Sequence, residues 1–200
     1  KKKNENDYAK ILSNLYKKIE KSSIVWIRQH SLKGIGPATI LAKEYVGNKP
    51  FLFHAGDLYI PNTKYLKDII DIHKKFKPVA TIGLKKVKDP KRYGVANIKK
   101  NKNELKILNV VEKPEKPTTN NALTGVNIFE KEIFDAIKKT KPGKNNEIQL
   151  TDGIQTLIKN NHNVVGSLMN SKDPCIDIGV PNTYFDAIKY SYTNIIKKSK

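Results

Sequence analysis

The chain has 200 residues, with 38 Lys and Arg against 19 Asp and Glu, a formal net charge of +19. Apolar residues at 38% and aromatics at 8% suffice for one packed domain of ordinary size and exclude global disorder. The single Cys175 excludes a disulfide framework and a Cys-rich zinc site, and no apolar run reaches the ~20 residues needed to span a bilayer.

Apolar spacing of three and four at Tyr8, Ile11, Leu12, Leu15, Tyr16 and Ile19 predicts an amphipathic helix ended by Ser22 and Ser23. Ile24-Val25-Trp26-Ile27 reads as a short buried strand. A loop from His30 to Pro37 follows, then a helix from Ala38 to Tyr45 opened by Pro37. Phe51-Leu52-Phe53 is a strand that runs into His54-Ala55-Gly56-Asp57. Asn62 or Thr63 caps a helix carrying Leu66, Ile69, Ile70 and Phe76, which Pro78 stops before the strand Val79 to Ile82. Alternation of strand and helix predicts right-handed βαβ units and a mainly parallel sheet. Tyr93 to Ile98 and Leu105 to Val111 then read as paired strands about a polar turn. Asn121 to Phe129 is a strand, Lys131 to Lys139 a helix and Pro142-Gly143 a turn. Ile148 to Ile158 is a helix with Thr151 or an earlier residue near its start, Val164 to Met169 and Cys175 to Ile178 are short strands, and Pro181 to Ile196 is a closing helix. With no linker or repeat, residues 1–200 read as one α/β domain.

The positive charge raises nucleic acid as a partner. Only Arg28 and Arg92 are Arg, however, and Arg is the side chain suited to bidentate phosphate and base contacts. The lysines are spread along the chain without a block of five or six, so a solvated Lys-rich surface is the reading and nucleic acid is not the expected partner. The basic start Lys1-Lys2-Lys3-Asn4 leads into no apolar signal segment, and the one Cys fits a reducing cytoplasmic setting.

His30, His54, His73 and His162 show no metal-ligand spacing. Asp57 follows a strand, where open α/β sheets bind ligands, and a carboxylate there suits Mg²⁺ or a turn. Asp177 is a similar case, and two such carboxylates on one sheet edge can share a metal. At the end of Leu105 to Val111, Lys113 is a mobile charge for a phosphate, and Glu112 an acceptor for sugar hydroxyls; a plain turn is the competing reading. Tyr93-Gly94, Thr124-Gly125 and the run from Asn146 to Asp152 are further clusters where glycine permits close approach or makes a bulge.

In this order, Arg28-Gln29, Leu32 to Ala38, Gly56-Asp57, Tyr93-Gly94-Val95, Val111-Glu112-Lys113-Pro114, Ala122 to Gly125, Pro142-Gly143, Glu147 to Asp152 and Asp177-Ile178-Gly179 resemble the sugar-1-phosphate nucleotidylyltransferase family. The Glu147-to-Asp152 string resembles the uridylyl-transferring branch; the thymidylyl branch is the near relative. The resemblance implies a Rossmann-like nucleotidyltransferase fold with a mixed, mainly parallel sheet flanked by helices. It implies Mg²⁺-dependent transfer from UTP, or dTTP, to glucose 1-phosphate, in a cytoplasmic homo-oligomer. Carried over position by position, it implies that Gln29 and Gly34 read the pyrimidine edge. Asp57 and Asp177 hold Mg²⁺, Asp57 and Lys113 serve catalysis, Gly94, Glu112 and Glu147 meet the sugar, and Lys113 meets its phosphate. The family opens with a Gly-rich GxGTRxxPxTxxxPK segment that this sequence lacks. Pro37 also stands where the family has His, and Leu58 where it often has Asp or Asn. The resemblance therefore implies an N-terminally truncated domain with little transferase activity alone, or a non-catalytic sugar-phosphate-binding fragment that serves a partner subunit.

Overall fold

The computed structural model describes residues 2–143 and 146–196, so the first residue of the basic start lies outside the described residues. These residues divide into two units, one up to His30 and one from Ser31 onward. In the first, α1 (Lys2–Glu20) forms as its 3.6-residue periodicity predicts, and Ser22 Oγ closes it by donating to the carbonyl of Lys18 at 2.9 Å. Its apolar stripe of Tyr8, Ile11, Leu15, Tyr16 and Ile19 is exposed. The buried strand expected at Ile24 to Ile27 does not form. The run makes no ladder, and all four side chains are exposed, Trp26 at 92%. An apolar run marks a candidate for burial only where another element covers it.

The second unit is built on a six-stranded sheet in the order β1-β6-β3-β7-β5-β4, from β1 (Phe51–His54), β3 (Ala80–Lys86), β4 (Val95–Lys100), β5 (Leu105–Val111), β6 (Asn121–Phe129) and β7 (Val164–Leu168). The sheet is mixed, but only β3 and β7 pair in parallel among the described residues, so the mainly parallel pairing expected from sequence is corrected. The reason is β6. β1 and β3 run the same way, as a strand-helix-strand unit should, but the nine-residue β6 enters between them antiparallel to both. A second ladder pairs β2 (Leu58–Tyr59) with β8 (Ile176–Asp177), antiparallel, with Leu58 opposite Asp177.

Helices cover both faces. On one, α5 (Glu132–Lys139) and α6 (Leu150–Lys159) bury Ile133, Phe134, Ile137, Ile154 and Leu157 against Ile82, Ile107, Phe129 and Val164. Phe51 stacks on Phe134 with ring centres 5.3 Å apart. On the other, α4 (Lys64–Phe76) packs Tyr65 and Ile69 against Val126, Ile128 and Met169. The cap reading at Asn62 holds: its Oδ1 accepts from the backbone N–H of Lys64 at 3.0 Å. The single helix expected from Ala38 to Tyr45 is instead two short ones, α2 (Ile35–Ile40) and α3 (Lys43–Val46). Pro37 sits inside α2, not at its start. The closing helix divides too, into α7 (Pro181–Ser191) and a π-helical turn, Tyr192–Ile196.

One irregularity positions the site. The register between β3 and β6 shifts between Ile82 and Leu84, and Gly125 adopts φ +78 beside it, a conformation that favours glycine. Opposite this bulge, a Cβ on Gly83 would collide with Thr124 Oγ1, the Val126 carbonyl and the Tyr65 hydroxyl. The bulge turns the Gly125 carbonyl outward to accept from the N–H of Ala55 at 2.9 Å, which ties the end of β1 to β6.

Candidate active site

Beyond β1 the chain turns through Gly56 and Asp57 into β2. The carbonyl of Asp57 accepts from Ile178 N–H at 2.7 Å, and Asp177 Oδ1 accepts from Gly179 N–H at 2.7 Å. Asp177 thus belongs to the β2–β8 ladder and Asp57 to the turn that leads into it, and neither stands at the edge of the main sheet. They do meet: a Cβ built on Gly179 would lie 3.1 Å from Asp177 Oδ1 and 3.2 Å from Asp57 Oδ2. Both line a cavity of about 160 Å³ with Ala55, Lys85, Tyr93, Thr124 and Gly125. Among the described residues no group of three or more His, Cys, Asp and Glu side chains forms a metal cluster. Two exposed carboxylates are a donor set suited to a hard cation that keeps other oxygens as ligands.

A neighbouring cavity of about 150 Å³ shares Ala55, Leu123 and Gly125 with the first, and Gly94, Glu112, Gln149 and Thr151 line it further. Gly94 is buried between β4 and β6, and its carbonyl accepts from Leu123 N–H at 2.8 Å. A Cβ there would come within 3.0 Å of both Glu112 Oε2 and Thr151 Oγ1, so a side chain would push into the carboxylate. Glu112 is held from the start of α6: Thr151 Oγ1 donates to its Oε2 at 2.7 Å. Its Oε1 lies 3.7 Å from Lys113 Nζ. The turn that presents Lys113 has φ +39 and is fixed by its N–H donating to the Tyr93 carbonyl at 3.1 Å. Lys113 is exposed beside the cavity, a mobile cation next to an oriented carboxylate.

Glu147 lies in the loop before α6, where its Oε2 accepts from Gln149 Nε2 at 2.6 Å. Gly34 is placed against this loop. A Cβ on it would be 2.7 Å from the Ile148 carbonyl and 3.2 Å from Glu147 Cβ, and its φ of +98 suits glycine. Ile148 N–H donates to the Lys33 carbonyl and Gly36 N–H to that of Ile148, so the two loops form one ledge. Asp57 with Asp177, Gly94 with Glu112 and Lys113, and Gly34 with Glu147 are therefore three groupings within one unit. Gln29 belongs to the N-terminal unit.

Sequence reading passed over Lys85 and gave Thr151 only a place near the start of a helix. Lys85 sits near the end of β3, donates from Nζ to the Cys175 carbonyl at 3.1 Å and lies 5.3 Å from the ring centre of Tyr93. Its place near a strand end, where ligands gather in open α/β sheets, is the signal in the sequence that marks it. Cys175 is half-buried: burial raises its thiol pKa, Lys85 opposes this, and the Asp177 charge adds to the rise.

The nucleotidyl transferase family model matches residues 3–194. A protein of Methanocaldococcus jannaschii is 34% identical over 167 residues, which cover 80% of this chain and 58% of that protein. A UTP–glucose-1-phosphate uridylyltransferase of Staphylococcus epidermidis is 32% identical over 155 residues, 74% of this chain and 54% of its own. The enzyme of that name from Pseudomonas aeruginosa is 27% identical over 202 residues, 97% and 71% respectively. A crystal structure of a UDP-glucose pyrophosphorylase complexed with UDP-glucose superposes with a TM-score of 0.85 at 28% identity, covering 94% of this chain and 72% of that one. The chain spans little more than half the length of the Methanocaldococcus and Staphylococcus relatives. Among the described residues no helix is long and apolar enough to cross a membrane. The mixed sheet, its flanking helices and the ordered motifs along it agree with these matches, and the chain belongs to the nucleotidyl transferase family.

Proposed function

We propose that this chain is the sugar-phosphate-binding and metal-binding part of an enzyme that transfers a uridylyl group from UTP to glucose 1-phosphate, giving UDP-glucose and pyrophosphate. The observation that carries the proposal is the pair of adjoining cavities, one lined by Gly94, Glu112 and Thr151 and the other by Asp57 and Asp177, which share a wall at Ala55, Leu123 and Gly125. The names of the Staphylococcus and Pseudomonas relatives support the choice of substrates.

In this reading the hexose lies in the cavity that Gly94 lines, where the absent side chain leaves the Glu112 carboxylate in place, and Glu112 accepts from its hydroxyls. Glu147 holds the sugar from the neighbouring loop. Lys113 meets the sugar phosphate and offsets part of its charge. An oxygen of that phosphate attacks the α-phosphorus of UTP in line, the bond from that phosphorus to the bridging oxygen breaks, and pyrophosphate leaves with the electron pair. Positioning and charge neutralisation supply the catalysis, and no side chain is assigned as a base. Asp57 and Asp177 hold Mg²⁺, which when bound neutralises phosphate charge. Gly34 meets the pyrimidine edge of UTP, and dTTP is the alternative nucleotide. We place the reaction in the cytoplasm, carried out by a homo-oligomer. The exposed apolar side chains of α1 and of α7 at Tyr184, Phe185 and Ile188 support self-association.

Calorimetric titration of the purified chain with glucose 1-phosphate and with UTP, each with Mg²⁺, tests the reading. Glucose 1-phosphate is expected to bind, and Glu112→Ala to weaken it by roughly tenfold or more, the scale of a lost hydrogen bond to a charged group. A chain that is folded by circular dichroism and binds neither ligand overturns the proposal.

A further inference from the structure

Lys85 has no role in the proposed reaction, yet it shares a cavity wall with both aspartates. It is half-buried, and among the described residues none of the ion pairs includes it and no carboxylate lies within 4.0 Å of its ammonium. Its described contacts are one donated bond to the Cys175 carbonyl at 3.1 Å and the Tyr93 ring at 5.3 Å. An ammonium has three N–H donors, so this environment leaves capacity for an anion. The ring on one side and the carbonyl on another also limit where the flexible stem can point, which reduces the ordering cost when an anion arrives. A structural lysine gains most by pairing with a nearby carboxylate. One that shares a cavity with two carboxylates and pairs with neither is set for a ligand that carries negative charge of its own.

We propose that Lys85 is a phosphate-binding residue of this site, a second cation in addition to Lys113, that contacts the diphosphate of the nucleotide sugar. This rests on the reading of the site given above. The same side chain, through the Cys175 carbonyl, ties the segment leading into β8 to β3, two residues before Asp177. A positioning role for Asp177 is the competing explanation, and the two roles separate by their dependence on metal. A direct phosphate contact works without Mg²⁺; a positioning role acts only through the metal that Asp177 holds.

The test is calorimetric titration of the wild-type chain, Lys85→Met and Lys85→Arg with UDP-glucose, in Mg²⁺ and again in EDTA, with thermal melts of each protein alongside. Methionine keeps the length and apolar stem but has neither charge nor donor. The expected result is that Lys85→Met weakens binding roughly tenfold or more in both conditions, and that Lys85→Arg keeps most of the affinity. Unchanged binding by Lys85→Met overturns the proposal. So does a loss seen in Mg²⁺ alone, which would make Lys85 a positioning residue. If the folded wild type binds neither UDP-glucose nor glucose 1-phosphate, the reading of the site falls and this inference with it. A wild type that binds while Lys85→Met binds equally well removes only the role of Lys85.

Discussion

Tyr65 shows how one side chain can hold the irregular part of a sheet. It projects from the first turn of α4, is 2% exposed, and donates its hydroxyl to the Ser167 carbonyl at 3.3 Å, with Thr124 Oγ1 3.5 Å away. It therefore spans β7 and the bulged part of β6, in space left by Gly83. Burial, the largest cause, pushes its pKa up to about 12 from 10.0, because a phenolate there would lose its hydration. The raised value means that the folded state holds the proton more tightly than the unfolded chain does. The stability linked to this group is complete below pH 10 and is lost as pH rises through about 12. Tyr65→Phe should cost about 0.5–1.5 kcal/mol near neutral pH, the scale of a lost hydrogen bond. It should also remove an alkaline loss of about 2–3 kcal/mol between pH 10 and 12. Urea unfolding of both proteins at pH 8 and near pH 11.5 checks this: the gap should narrow or reverse at the higher pH. A gap of constant size would show that the phenol does not ionise on unfolding.

At the scale of an element, α6 links stability to the site. Its first turn carries a cap: Gln149 N–H donates to Asp152 Oδ2 at 3.3 Å, and Asp152 N–H donates to the Gln149 carbonyl at 3.1 Å. Thr151, two residues after Gln149, is the partner of Glu112, so the cap that orders the turn also orders the carboxylate. Asp152→Ala removes one arm of the cap and a negative charge at the helix start, and should cost about 0.5–2 kcal/mol. It should also weaken glucose 1-phosphate binding without touching the cavity wall. Urea unfolding and titration check the two effects, and a stability loss with unchanged binding would separate the cap from the site. Elements of this kind were legible in the sequence because their signals are local: the cap at Asn62, the strands from Leu105 and Asn121, and the start of α6 lie where periodicity and turn chemistry put them. What stayed hidden was decided at a distance. Nothing in Ile24 to Ile27 says that its four side chains stay exposed among the described residues, and nothing within β6 says that it enters between β1 and β3 and makes the pairing mainly antiparallel. The site divides in the same way. Asp57, Glu112 and Lys113 stand at strand ends that the sequence marks, whereas Lys85 reaches the two aspartates only through the packing of β3 against the lead into β8.

At the scale of the whole molecule, charge is the term that packing leaves unbalanced. The net charge is +19, and among the described residues the lysines within 4.0 Å of a carboxylate are Lys43, Lys64 and Lys113. The Lys64–Asp68 pair is a neighbour pair along α4, and the Lys43–Asp135 pair is exposed, so each contributes little in water. Most of the positive charge is therefore offset by solvent and counterions, and mutual repulsion opposes the compact state. Screening reaches across about 10 Å at 0.1 M salt and shortens to about 3 Å at 1 M, so added salt should relieve this repulsion while leaving buried contacts nearly unchanged. The expected result is a melting temperature that rises with sodium chloride between 0.02 and about 0.5 M, by about 2–4 °C for each kcal/mol gained. Phosphate at matched ionic strength should add to the rise if the cations near Asp57 and Glu112 take up the anion, and that added increment should shrink in Lys85→Met while the chloride response stays the same. A melting temperature that falls with chloride would mean that attraction between opposite charges outweighs the lysine repulsion. The excess charge would then be matched within the fold, and the surface could not be read from composition.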